Sequence, residues 1–149
     1  MFYDQTGNEL KKFNTSDAIG VYFLKKLNIP VGIITGENTK IVKNRAAKLK
    51  IDILHQGIDN KLSIVEKLCV KLCVEHKISI DQVAYIGDDI GDYRLLKSVG
   101  FSAAPNNSSE YIKDVVDFLT KKNGGDGAFR EFVEYIIGED GINRILKEL

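Results

Sequence analysis

Net charge, cysteine and long apolar runs are all scarce in this chain of 149 residues, and each scarcity excludes something. Lys and Arg number 21 and Asp and Glu 21, which leaves no field to draw nucleic acid or a membrane surface. No apolar run approaches the ~18 residues of a membrane span. The opening residues Met1, Phe2, Tyr3 and Asp4 are no secretory leader, so the expected location is cytoplasmic. Only Cys69 and Cys73 are present, set among Leu68, Val70, Leu72 and Val74. Two cysteines make no disulfide framework, no further ligand accompanies them as a metal site, and they read as core residues of a helix. Internal repeats, low-complexity tracts and convincing linkers are absent as well. What remains, 44% hydrophobic and 28% charged residues, is ordinary for one soluble domain with a sizeable core.

Apolar runs alternate with helical patterns. Residues 2–13 read as a β-hairpin turning at Asp4 to Asn8. Asp17 is a candidate N-cap for a helix through Leu27. Strands are expected at 31–35, 51–55, 83–87 and 101–104, the last stopped by Pro105, with a possible edge strand at 116–119. Helices are expected from Asn38 or Thr39 to about Leu49, from Lys61 (capped by Asn60) to about His76, around Tyr93 to Val99, and after Ser108 or Ser109. Gly124-Gly125-Asp126-Gly127 breaks the chain before a final helix that spaces Phe129, Phe132, Val133, Ile136 and Ile137 on one face. This alternation predicts an α/β fold: a parallel, Rossmann-like sheet flanked by helices, plus an N-terminal hairpin.

The chemistry gathers at strand ends. Val83 to Ile86 forms an apolar strand that stops at Gly87, and Asp88, Asp89 and Asp92 follow within five residues. Carboxylates at the carboxyl end of a parallel strand lie where open α/β sheets bind ligands. Three acids this close repel unless a cation neutralises them, and hard oxygen donors suit Mg²⁺. The spacing does not fit an EF-hand loop, although a plain solvated turn would also accommodate it. Thr35-Gly36 ends another strand, where a hydroxyl and neighbouring amides suit an anion, or simply a turn. Lys61 opens a helix, the wrong charge for the helix dipole unless it faces an anion; otherwise it is a solvated lysine. A hydroxyl, a lysine and an acidic loop on one sheet edge together describe a phosphoryl site. A phospho-receiver domain uses similar groups but orders the acids first and the lysine last, the reverse of this chain. His55 has no evident role, and His76 near a helix end reads as solvated.

Thr35-Gly36, Lys61 and Gly87-Asp88-Asp89-x-x-Asp92 resemble motifs two, three and four of the haloacid dehalogenase superfamily. Glu9 to Asp17, Gln56-Gly57 through Asn60-Lys61-Leu62, and Gly124 to Glu131 are similar to its small capless branch, which dephosphorylates 2-keto-3-deoxy sugar acids. The likeness covers the whole chain. It implies one domain over 1–149, with a hairpin flap at 1–14, an α/β core at 15–149 and no separate cap. Asp88 would ligate Mg²⁺, Asp89 and Asp92 would support the metal site and orient Lys61, and Thr35 and Lys61 would hold phosphoryl oxygens. Thr35-Gly36-Glu37 looks more like the nononate-9-phosphate (KDN, sialic-acid-type) members than the octulosonate-8-phosphate (KDO) members, which carry Thr-Gly-Arg. There Glu37, with a lysine matching Lys48, is implicated in sugar recognition. The resemblance also implies a homotetramer, with the hairpin near a neighbour's active site and Arg130 close to its own. Arg130 reads equally well as a solvated helix residue.

One motif of that family is missing from these residues. Asp-x-Asp-Gly, which supplies the aspartyl nucleophile, the general acid and base and a metal ligand, should precede the hairpin on a central strand. Asp4, the first aspartate, sits in a turn. The absent strand would lie between 31–35 and 83–87, and removing one strand leaves about 9.6 Å to span. The expectation is therefore an internal start within a longer gene or a truncated, inactive relative. The alternative function is a non-catalytic oligomerisation domain, like those fused to CMP-sialic-acid synthases.

Overall fold

The computed structural model describes residues 2–76 and 78–149, with the side chains of residues 73–76 outside the description. The readings of Cys73 and His76 fall on those side chains. The hairpin pairs β1 (Phe2–Tyr3) with β2 (Glu9–Leu10), so its return strand is shorter than the expected run to Phe13. Its turn is pinned by the Asp4 carboxylate, which accepts from the Thr6 and Asn8 amides and the Thr6 hydroxyl. These bonds hold the Asp4 carboxyl well below the usual carboxylate range.

Helix α1 (Thr15–Lys26) is capped by Asn14, not Asp17. Asp17 instead accepts the Arg130 amide, 3.1 Å away, at the start of α6 (Ala128–Lys147). That exchange ties the two helices together. The two pack closely where Gly20 leaves room: a Cβ there would lie 3.1–3.3 Å from Phe129 and Val133. Helix α6 bends at Gly138, whose φ of 62° the hydrophobic spacing did not anticipate.

Strand β3 (Gly32–Ile34) pairs in parallel with β4 (Ile53–His55), with α2 (Lys40–Lys48, capped by Thr39) between them. Helix α3 (Lys61–His76) follows, with the Asn60 side chain accepting from the Ser63 amide as expected. Strand β5 (Ala84–Ile86) pairs with β6 (Phe101–Ala104), and β6 with β7 (Phe118–Leu119), all parallel. Short helices α4 (Tyr93–Leu96) and α5 (Glu110–Lys113) connect them.

The architecture is α/β as expected, but the parallel sheet is in two pieces: β3-β4 and β5-β6-β7 share no strand pairing. The pieces are held through side chains. Val31 and Ile86 pack on one buried cluster (Leu24, Ala103, Phe132, Val133), and Ile34 and Tyr85 pack on another (Val65, Cys69, Leu95). Among the described residues no helix is long and apolar enough to cross a membrane.

Candidate active site

The acidic loop sits where β5 ends. Its Asp-x-x-Asp spacing builds a reciprocal cap on a 3₁₀ turn, Ile90–Asp92. The Asp89 carboxylate accepts the Ile90 amide at 2.7 Å and the Tyr111 hydroxyl at 2.9 Å. These two bonds lower its pKa. Asp92 is only 3% exposed and is the hub. Its carboxylate accepts the amides of Asp88 (3.1 Å) and Asp89 (3.3 Å), the Tyr85 hydroxyl (2.5 Å) and the Lys61 ammonium (2.5 Å). Gly87 leaves the space this needs, because a Cβ there would fall 2.6 Å from Asp92 Cβ and Cγ.

Asp88 differs from its neighbours. Among the described residues its carboxylate takes no hydrogen bond from another residue. Partial burial, then the charges of Asp92 and Asp89, push its pKa up, against a smaller pull from Lys61. A solvent-accessible hard carboxylate crowded by two more is a place that a divalent cation would relieve. The fit is partial. No group of three or more His, Cys, Asp or Glu among the described residues is arranged to hold a metal. Asp89 and Asp92 direct their oxygens into the loop and to Lys61 instead.

Thr35, at the end of β3, accepts the Glu37 amide on its hydroxyl at 3.1 Å. The Gln56 side chain donates to the Thr39 carbonyl (3.0 Å) and the Glu37 carbonyl (3.5 Å), fixing the loop around Gly36. Glu37 is exposed and ion-paired with Lys11 at 3.3 Å; Lys11 also holds Glu9 at 3.1 Å. Burial disfavours the Lys11 ammonium, but Glu9 and Glu37 outweigh it and leave its pKa raised.

Two expected residues lie apart. Lys48 is exposed at the far end of α2, about 12 Å along the helix from its start. Arg130 donates to Glu134 (2.7 Å) and Ser16 (3.4 Å) and lies over the Phe23 ring. Its guanidinium is engaged by α1 and α6, not by Thr35, Lys61 or the acidic loop. Tyr85 and Lys11 were not singled out from the sequence. Tyr85 reads there as a strand aromatic, and only the fold aims its hydroxyl at Asp92. Burial first, then the Asp92 charge, raises its pKa far above the ordinary value.

A carboxyl edge carrying a threonine, a part-buried lysine and a carboxylate-rich loop defines a class of hydrolase, and residues 33–132 match the haloacid dehalogenase-like hydrolase family model. The chain belongs to that family. Within it, the chain is 36% identical to the 3-deoxy-D-manno-octulosonate 8-phosphate phosphatase KdsC of Escherichia coli K12, over 95% of this chain and 73% of that one. It is 32% identical to the Haemophilus influenzae enzyme of the same name, over 95% and 76%. Among solved structures, the phosphatase from Moraxella catarrhalis, in complex with magnesium, phosphate and KDO, superposes with a TM-score of 0.89 at 35% identity. That match covers 99% of this chain and 84% of that one. The chain is thus a phosphatase of the haloacid dehalogenase type by family.

Proposed function

We propose that this edge is a Mg²⁺-dependent site for the phosphate monoester of a 2-keto-3-deoxy sugar acid. The observation that carries the reading is Lys61, drawn from the first turn of α3 onto Asp92 and so fixed near Asp88, whose carboxylate takes no hydrogen bond from another of the described residues. The Lys61 ammonium and the Thr35 hydroxyl would bind phosphoryl oxygens, and Asp88 would hold the cation. Bound Mg²⁺ would neutralise phosphoryl charge; Asp92 keeps Lys61 positioned. The Gly36-Glu37 turn, braced by Gln56, would meet the sugar. Glu37 in place of arginine favours a nine-carbon acid such as KDN-9-phosphate, while the relatives' names point to KDO-8-phosphate. No Asp-x-Asp-Gly occurs in the sequence, so the reading expects these 149 residues to bind substrate without turning it over.

Titration calorimetry of the chain with each sugar-acid phosphate, with and without Mg²⁺, tests this. Binding that needs Mg²⁺ and is lost in Lys61→Met and Asp88→Asn is expected. No binding of either phosphate would overturn the site, and phosphate release by the chain alone would overturn the missing nucleophile. An assembly role is favoured by one observation: Phe2, Tyr3 and Leu10 on the hairpin are each more than 60% exposed. We place a homotetramer interface there.

A further inference from the structure

The two oxygens of the Asp92 carboxylate have different partners. Oδ2 accepts the backbone amides of Asp88 and Asp89 at 3.1 and 3.3 Å, and so holds the shape of the loop. Oδ1 accepts the Lys61 ammonium and the Tyr85 hydroxyl, each at 2.5 Å. The fold of the loop and the position of the lysine are thus set through separate atoms of one side chain. Among the described residues Lys61 has no other side-chain partner. An ammonium carries three donors, so the rest are left for a ligand.

The Tyr85 ring and its hydroxyl also separate. The ring packs against two buried clusters, one of Val65, Cys69 and Leu95 and the other of Leu96, Ala104 and Ile112. A phenylalanine ring would fill that place without a polar atom to satisfy. The hydroxyl has one hydrogen-bond partner among the described residues, Asp92 Oδ1. Burial and the Asp92 charge keep the phenol protonated, so it stays a donor. Without it, Oδ1 would act on Lys61 alone and draw the ammonium more fully into an ion pair.

We propose that Tyr85 is a positioning residue for anion binding: its hydroxyl fixes Asp92 Oδ1 and shares its charge, so that Lys61 is anchored but its remaining donors stay free for a phosphoryl group. Tyr85 acts through Asp92 and Lys61, not by contact with the anion. The proposal rests on Lys61 as a phosphoryl ligand and adds the residue that tunes its affinity.

The test is calorimetric titration of wild type and Tyr85→Phe with Mg²⁺ alone, and with inorganic phosphate in saturating Mg²⁺. Phosphate affinity is expected to fall about tenfold in Tyr85→Phe, with Mg²⁺ affinity and the circular dichroism spectrum unchanged. The NMR signal of the Lys61 Cε protons should shift in the same variant. Val65→Ala disturbs the same cluster without touching the hydroxyl; it should lower the urea midpoint and leave phosphate affinity as it is. An equal loss of phosphate affinity in Val65→Ala, or a parallel loss of Mg²⁺ affinity in Tyr85→Phe, would mean loosened packing and overturn the proposal. Equal phosphate affinity in wild type and Tyr85→Phe would overturn it while leaving the Lys61 reading intact. No phosphate binding by the wild type would overturn that reading first, and this proposal with it.

Discussion

Asp92 shows how one side chain can settle the geometry of a loop. Four donors converge on a carboxylate that is 3% exposed, and one of them is the part-buried Lys61 ammonium. Asp92→Ala strands the Lys61 charge and should cost about 3–5 kcal/mol, read as a fall in the urea midpoint. Asp92→Asn keeps an acceptor oxygen and should cost less. Gly87→Ala tests the same hub sterically. The added methyl overlaps Asp92, so Mg²⁺-dependent phosphate binding should weaken even where the circular dichroism is unchanged, and an unaltered affinity would show that the loop has slack.

At the scale of elements, the carboxyl edge is stitched by side chains acting on backbone. Glu131 on α6 accepts the Lys121 and Lys122 amides at 2.9 and 3.0 Å, and Asn107 accepts the Gly124 amide at 2.7 Å. Asp117 does the same before β7, accepting both the amide and the hydroxyl of buried Ser102 at 2.8 Å. Those bonds, the amide first, lower the Asp117 pKa. A depressed folded-state value gives stability that is present above the unfolded value, about 3.9, and lost as pH falls through the folded one. The urea midpoint of the wild type should therefore drop between about pH 5 and pH 3 by more than that of Asp117→Asn. Asp117→Ala leaves two buried Ser102 donors unmatched and should cost ~1–3 kcal/mol at neutral pH.

At the scale of the whole molecule, a sheet in two halves joined by side-chain clusters lacks the backbone continuity of a complete one. Buried clusters can bridge the halves because dispersion and apolar burial are non-directional, whereas strand pairing is not. The exposed hairpin belongs to the same scale. Replacing Phe2 and Leu10 together with serine should shift the sedimentation of the chain toward the monomer while leaving its circular dichroism unchanged, if the hairpin is the tetramer contact.

Sequence alone determined the element order, most strands to within two residues, and the placement of Thr35, Lys61 and Asp88 at the carboxyl ends of strands or the start of α3. Those features follow from local rules: β-branched runs, Asn60 and Thr39 as caps, and glycine where a strand stops. Tertiary structure alone decided which partners the polar groups take. It turned Asp17 from a helix cap into a tie to α6, aimed Tyr85 at Asp92, paired Glu37 with Lys11, and engaged Arg130 with Glu134. The physical reason is that hydrogen bonds and ion pairs depend on distances of a few ångströms between residues far apart in the chain, which no local pattern encodes.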